Sequence, residues 1–95
     1  MINDNLYEVK QMAALFDALG HYRRIIIYRA LKRAGSKGVN VGALSEMTGI
    51  GETNLAHHLR MMKKGKIIRS NTVGRFTFLV LNEDELTSML KAISA

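Results

Sequence analysis

The chain contains no cysteine. That one absence excludes a disulfide clip, a high-affinity thiolate metal centre and a cysteine nucleophile. No apolar run approaches the roughly 18 residues that a membrane-spanning helix needs. The start, Met1-Ile2-Asn3-Asp4-Asn5, lacks the basic region and apolar stretch of a signal peptide, so a cytoplasmic location is expected. Also missing are a glycine-rich phosphate loop followed by Lys-Ser/Thr, a GxSxG elbow and an HExxH helix. The chain is therefore not expected to be an enzyme.

Acidic residues are few, 8 against 14 lysines and arginines, for a net charge of +6. Placement says more than size. Residues 1 to 20 carry Lys10 against Asp4, Glu8 and Asp17, and residues 81 to 95 carry Lys91 against Glu83, Asp84 and Glu85, so each end is net −2. Residues 21 to 80 carry Arg23, Arg24, Arg29, Lys32, Arg33, Lys37, Arg60, Lys63, Lys64, Lys66, Arg69 and Arg75 against Glu46 and Glu52, net +10. A merely solubilising charge would not separate so cleanly by segment, and the pattern points to nucleic acid.

What remains is an ordinary globular composition, 47% hydrophobic in 95 residues, which predicts one domain over residues 1–95. A core of that size is only marginally stabilising without cross-links, so association into a homodimer is the natural remedy. The six methionines fit helical core positions as adaptable packing.

Spacing along the chain predicts a mainly α fold with a small β-hairpin. A first helix is capped by Asn5, with Glu8 reaching back, and carries Leu6, Val9, Met12, Ala13, Phe16 and Leu19 before Gly20 ends it. A second covers Tyr22 to Ala34, and its Ile25-Ile26-Ile27-Tyr28 run is apolar almost all round, the pattern of a central, enclosed helix. After the loop Gly35-Ser36-Lys37-Gly38, Asn40 caps a short third helix with Val41, Leu44 and Met47, closed at Gly49. Only Gly49-Ile50-Gly51 separates it from a fourth helix, Glu52 to Lys64, stopped at Gly65. Two short helices so joined form a helix-turn-helix.

Beyond Gly65 the pattern becomes a strand from Lys66 to Ser70, a turn at Asn71-Thr72-Val73-Gly74, and a strand from Arg75 to Leu81, together a β-hairpin wing. Asn82 and Glu85 repeat the capping arrangement for a last helix striped by Leu86, Met89, Leu90 and Ile93. The order is α-α-α-α-β-β-α, a winged helix-turn-helix.

Projected at 100° per residue, the fourth helix gathers Leu55, Leu59 and Met62 on one side with His58 on its flank. Thr53, Asn54, His57, Arg60 and Lys64 share the opposite arc. The start of a recognition helix reaches base edges in the major groove, so Thr53, Asn54 and His57 are the candidate base contacts, Asn54 by bidentate pairing with adenine. Arg60 and Lys64, with Arg69 and Arg75 flanking the wing turn, are the candidate phosphate contacts. Phe76, Phe78 and Val80 alternate with Arg75, Thr77 and Leu79, and the aromatics are expected in the core. His57 and His58 point about 100° apart and cannot easily share an ion, and Glu83-Asp84-Glu85 reads as a helix start favoured by the macrodipole. No metal or other cofactor is expected.

These segments resemble the ArsR-type winged-helix repressors from Leu15 to Ile93. Leu15-Phe16-Asp17-Ala18-Leu19 with Arg24 and Ile27 is similar to the family's opening. Val41-Gly42-Ala43-Leu44-Ser45 with Ile50 to Leu59 is similar to its helix-turn-helix, and Gly65-Lys66-Ile67-Ile68-Arg69 with Gly74-Arg75-Phe76 to its wing. The resemblance implies a homodimeric DNA-binding regulator joined through its terminal helices, 5–19 and 83–94, by Leu6, Val9, Met12, Leu86, Met89, Leu90 and Ile93. Its two recognition helices would then meet half-sites about one DNA turn apart. It also implies repression relieved by a signal. The chain departs from the pattern there, with Asn40 and Gly42 where metal sensors carry paired cysteines and no histidine in the last helix. It departs again at His21-Tyr22-Arg23, where relatives often have an Asp-Pro-Thr-like turn. Glu52, an acid close to the DNA face, either favours its helix start or selects a cytosine amine. Two other functions remain open on sequence grounds: a sequence-tolerant architectural DNA binder, and a winged-helix module contacting an acidic protein.

Overall fold

The computed structural model describes residues 4–95; Met1 to Asn3, the start of the segment read above for a signal peptide, lie outside the described residues. Among the described residues, five α-helices and one hairpin follow in the expected order: α1 (Leu6–Leu19), α2 (Tyr22–Ala34), α3 (Val41–Thr48), α4 (Glu52–Lys64), β1 (Ile68–Val73), β2 (Phe76–Leu81) and α5 (Glu83–Ser94), with a 3-10 turn at Gly35–Lys37. Among the described residues no helix is long and apolar enough to cross a membrane.

Local chemistry sets most boundaries. The Asn5 side chain accepts the Glu8 amide and the Asn40 side chain accepts the Ala43 amide, so two helices begin where an Asn satisfies an otherwise orphaned donor. His21 does the same for α2, its Nδ1 accepting from the Arg23 amide at 3.1 Å. Asn82 does not. Its side chain donates to the Lys66 carbonyl and its amide to Ile67, so the expected capping arrangement at α5 is replaced by a tie back to the segment before β1.

The core draws on both strands and every α-helix but α5, with Leu15 and Ala18 from α1, Ile27 and Leu31 from α2, Leu44 from α3, Leu55, Leu59 and Met62 from α4, and Ile68, Leu79 and Leu81 from the hairpin. α5 adds half-buried Leu86 and Met89. Each fully buried Leu or Ile side chain contributes about 1.5–3 kcal/mol. Gly65 lets α1 and α4 close on one another: a Cβ there would stand 2.5 Å from Ala18 Cβ and 2.7 Å from the Ala14 carbonyl oxygen. The left-handed turn that leaves α4 falls one residue later, on Lys66 (φ 62).

Three expectations are corrected. α2 touches α1, α3, α4 and β2, but Ile25 and Ile26 are 42% and 41% exposed and only Ile27 of that run is buried. The helix is packed on one side, and the apolar run over-represents its enclosure. The hairpin is shifted along the chain and its turn is tighter than expected: β1 begins at Ile68 rather than Lys66 and runs on to Val73, which pairs with Phe76 and leaves Gly74-Arg75 as a two-residue connection. Gly74 has φ 62, as such turns require; Arg69 is consequently opposite Val80, well back from the tip. Third, Phe76 is 55% exposed and Phe78 half-buried, while consecutive Leu79, Val80 and Leu81 are buried. The base of β2 is covered on both faces, with Leu79 also exchanging hydrogen bonds with Val39, so alternation fails there and the aromatics are pushed towards the tip.

Candidate nucleic-acid interface

α4 is held by its turn and by the helices beneath it. Gly49, left-handed at φ 73, ends α3. The connection is then clamped by Ser45 Oγ donating to the Ile50 carbonyl at 2.6 Å, Thr48 Oγ1 donating to Leu44 at 2.8 Å, and the Ile50 amide donating to Thr48 Oγ1 at 3.2 Å. With Ile50 buried as well, the angle between α3 and α4 is fixed by packing and hydrogen bonds together. Leu55, His58, Leu59 and Met62 are the buried face of α4.

Thr53, Asn54, His57, Arg60 and Lys64 are all exposed on the other side. Among the described residues, none of these five side chains hydrogen-bonds or ion-pairs with another protein group. The structure thus places the three candidate base readers on the first two turns of one free face, and the two candidate phosphate cations further along it. A groove of about 380 Å³ lined by Val41, Ala56, Leu59, Arg60, Lys63, Thr77 and Leu79 joins that face to the wing. Lys63, counted only as bulk charge from the sequence, is therefore part of this surface; its place three residues after Arg60 was the available signal.

The wing divides the two remaining candidates. Arg75 is at the tip, its guanidinium 5.7 Å from the Phe76 ring centre. Arg69 lines a different cleft, with Leu31, Ser36, Asn82, Glu83 and Asp84. Thr72 and Thr77 hydrogen-bond across the hairpin at 3.3 Å and stiffen it below the tip.

Under α4 lies a polar centre that helical projection put only on a flank. Arg24 and His58 are both buried. Arg24 donates through Nη2 to the Asp17 carbonyl at 2.9 Å, and its Nη1 is 3.2 Å from His58 Nδ1. A guanidinium can only donate, so His58 accepts at Nδ1 and is neutral. Burial lowers the His58 pKa from its ordinary value, and the positive environment of His21, Arg24, His57 and Arg23 lowers it further. One arginine thereby ties the end of α1, the start of α2 and the middle of α4. The His21 ring is 4.7 Å from that of His58, and the His57 ring 5.4 Å from it. No group of three or more His, Cys, Asp or Glu among the described residues is arranged to hold a metal ion.

The terminal helices run side by side, Val9 and Met12 sharing a cleft with Ala92 and Ile93. Leu6, Val9, Leu90 and Ile93 are exposed, while Met12, Leu86 and Met89 are half-buried. Among the described residues, Leu6, Val9, Leu90 and Ile93 thus leave apolar side chains exposed on the two terminal helices.

No model of a known protein family matches the chain. Among curated proteins it is 33% identical over 75 residues to the HTH-type transcriptional regulator YgaV of Escherichia coli (strain K12), covering 78% of this chain and 74% of that protein. Among solved structures it is similar to an ArsR-like transcriptional regulator from Rhodococcus sp. RHA1, with a TM-score of 0.75 and 19% identity over 90% of this chain and 78% of the other. It is also similar to the homodimeric winged helix-turn-helix DNA-binding domain Mb0332 from Mycobacterium bovis, a possible ArsR-family regulator. There the TM-score is 0.71 and the identity 21%, over 99% of this chain and 88% of the other.

Proposed function

Because the chain belongs to the helix-turn-helix transcriptional regulators and has the winged-helix fold of ArsR-family members, we propose that it is a homodimeric repressor binding double-stranded DNA at specific sequences. The observation that carries this reading is the free polar face of α4, rigidly mounted and continuous with the wing. Thr53, Asn54 and His57 read base edges in the major groove, with Asn54 suited to the paired donor and acceptor of adenine. Arg60, Lys64 and Arg75 hold phosphates and set the register. Arg69, opposite Val80, is a secondary phosphate contact of the same kind.

The dimer in this proposal forms through α1 and α5, using Leu6, Val9, Met12, Leu86, Met89, Leu90 and Ile93. The exposure of Leu6, Val9, Leu90 and Ile93 and the homodimeric state of Mb0332 support it. Two recognition helices would then meet half-sites roughly 34–36 Å apart. A cytoplasmic, non-enzymatic role belongs to the same proposal.

The test is selection of bound fragments from the source genome, followed by anisotropy titration of a selected and a scrambled duplex at physiological salt. The expected preference for the selected site is about 10³-fold or more, and Asn54→Ala should reduce it by about tenfold or more, in line with the 1–3 kcal/mol of one bidentate base contact. Equal affinity for both duplexes would replace this reading with that of an architectural binder.

A further inference from the structure

The exposed face of α2 is separated along its length into an apolar and a cationic half. Tyr22, Ile25 and Ile26 are 66%, 42% and 41% exposed at the start of the helix, and Arg29 and Arg33 are exposed on the same arc towards its end. Met47 of α3, 48% exposed, stands beside them. Ile26, Arg29, Ala30, Arg33 and Met47 line one groove of about 380 Å³ between α2 and α3, within the range of small-molecule sites.

Neither arginine has a carboxylate partner among the described residues. The one ion pair found there joins their neighbour Lys32 to Glu83. Two guanidiniums one turn apart offer forked donors suited to a carboxylate or phosphate. The apolar residues ahead of them offer a surface for a chain. From Ile26 to Arg33 the helix advances about 10 Å.

We propose that this groove binds a small amphiphile with an anionic head and a medium-length alkyl tail. The head pairs with Arg29 and Arg33, and the tail lies over Ile26 and Met47 towards Ile25. The charge order of the face sets the ligand's polarity, because a cationic or neutral head would leave both arginines unpaired. Met47 belongs to the first helix of the helix-turn-helix, so occupancy bears on the seat of α4. That consequence alone rests on the DNA-binding reading above.

The test is calorimetric titration of the full chain with decanoate, below the concentration at which it forms micelles. Decyl phosphate serves as a second anionic head, with decyltrimethylammonium and decanol as mismatched ones. One saturable site per chain is expected for the anions, at least about tenfold tighter than for the other two. A preference between decanoate and decyl phosphate identifies the head group. The double variant Arg29→Glu/Arg33→Glu and, separately, Ile26→Gln should each weaken binding at least about tenfold while leaving the thermal melt in place, since all three side chains are exposed. Arg33→Lys, which keeps the charge and loses the fork, should weaken binding less than the double variant does. Absence of saturable binding, equal affinity for decyltrimethylammonium, or full-strength binding by both variants overturns the proposal. So does conversion of Ile26→Gln to a smaller species in sedimentation, which would assign this face to a second copy of the chain. Saturable binding that leaves DNA affinity unchanged removes only the coupling to α4, while an absence of DNA binding beside intact decanoate binding counts against the proposed function and not against the site.

Discussion

Salt separates the cations that touch DNA from those that do not. Arg60, Lys64 and Arg75 are exposed on α4 and at the wing tip and have no ion-pair partner among the described residues, so a dimer would present about six phosphate contacts, each contributing about 0.9 to the slope of log Kobs against log salt. The expected slope is therefore about −5, equivalent to roughly a 10³-fold loss of affinity between about 50 and 200 mM salt. Arg60→Ala removes two contacts per dimer and should make the slope shallower by about 2. Arg69→Ala should change it less than Arg75→Ala, because Arg69 is set back opposite Val80 and faces Glu83 and Asp84 across its cleft. Asn54→Ala should lower specific affinity and leave the slope in place, since a base contact releases no counterion. Anisotropy titrations of one selected duplex across that salt range give all the slopes. A parental slope shallower than about −2, or an unchanged slope in Arg60→Ala, would refute the assignment of these residues to phosphate.

Other perturbations address the frame. Gly65→Ala forces a Cβ against Ala18 and the Ala14 carbonyl and should cost at least about 1–3 kcal/mol, read as a fall in Tm of about 5 °C or more. Its neighbour Lys66→Gly relieves a left-handed lysine and should gain about 0.5 kcal/mol, since the steric relief of about 1–2 kcal/mol is partly offset by glycine's extra chain entropy; a loss of stability would show that the lysine chain has a packing role. His58 has a lowered pKa in the folded protein, so folding is weakened as the pH falls below the ordinary histidine value of about 6.5 towards the folded one, and is at full strength above it. In urea melts from about pH 7.5 to 5, His58→Gln, which keeps an acceptor for Arg24 but does not titrate, should lose part of that dependence, and an unchanged profile would move its origin elsewhere. Leu90→Glu places a charge in the exposed stripe of α5 and should give a monomer in sedimentation at micromolar concentration, whereas a persistent dimer would relocate the interface.

Helix boundaries were legible where one residue decides them. Asn5, Asn40 and Gly49 mark ends through local hydrogen bonds or a left-handed turn, and α2, α3 and α4 occupy the spans their spacing predicts. What could not be read was set by contacts distant in the chain. Phe76 looked like core because it is aromatic and alternates correctly, but the buried base of the hairpin is Leu79, Val80 and Leu81, where Val39 bridges the edge of β2 from far earlier in the chain, and the tip is left outside. Asn82 has the composition of a cap, yet its amide group is taken by the carbonyl of Lys66, sixteen residues earlier. The free face of α4 was legible because helical projection needs only one helix. The pairing of Arg24 with His58 was not, because it joins residues 34 positions apart.

That pairing also changes how the basic middle segment should be understood. A net charge of +10 over residues 21 to 80 would make a long electrostatic footprint if all of it faced one partner. Arg24 is buried and donates to α1 and His58, and Lys32 is paired with Glu83. Arg29 and Arg33 open on the groove between α2 and α3, away from the residues that line the groove joining α4 to the wing. On the proposed reading the charge left for DNA is concentrated on α4 and the wing, with Arg60 and Lys63 lining the groove between them, Lys64 exposed on α4 and Arg75 exposed at the wing tip. If those few side chains carry the long-range attraction and fix the register in which Thr53, Asn54 and His57 meet the bases, as proposed, losing one of them should weaken binding to every duplex. Losing Asn54 should instead leave non-specific binding intact and narrow the difference between duplexes.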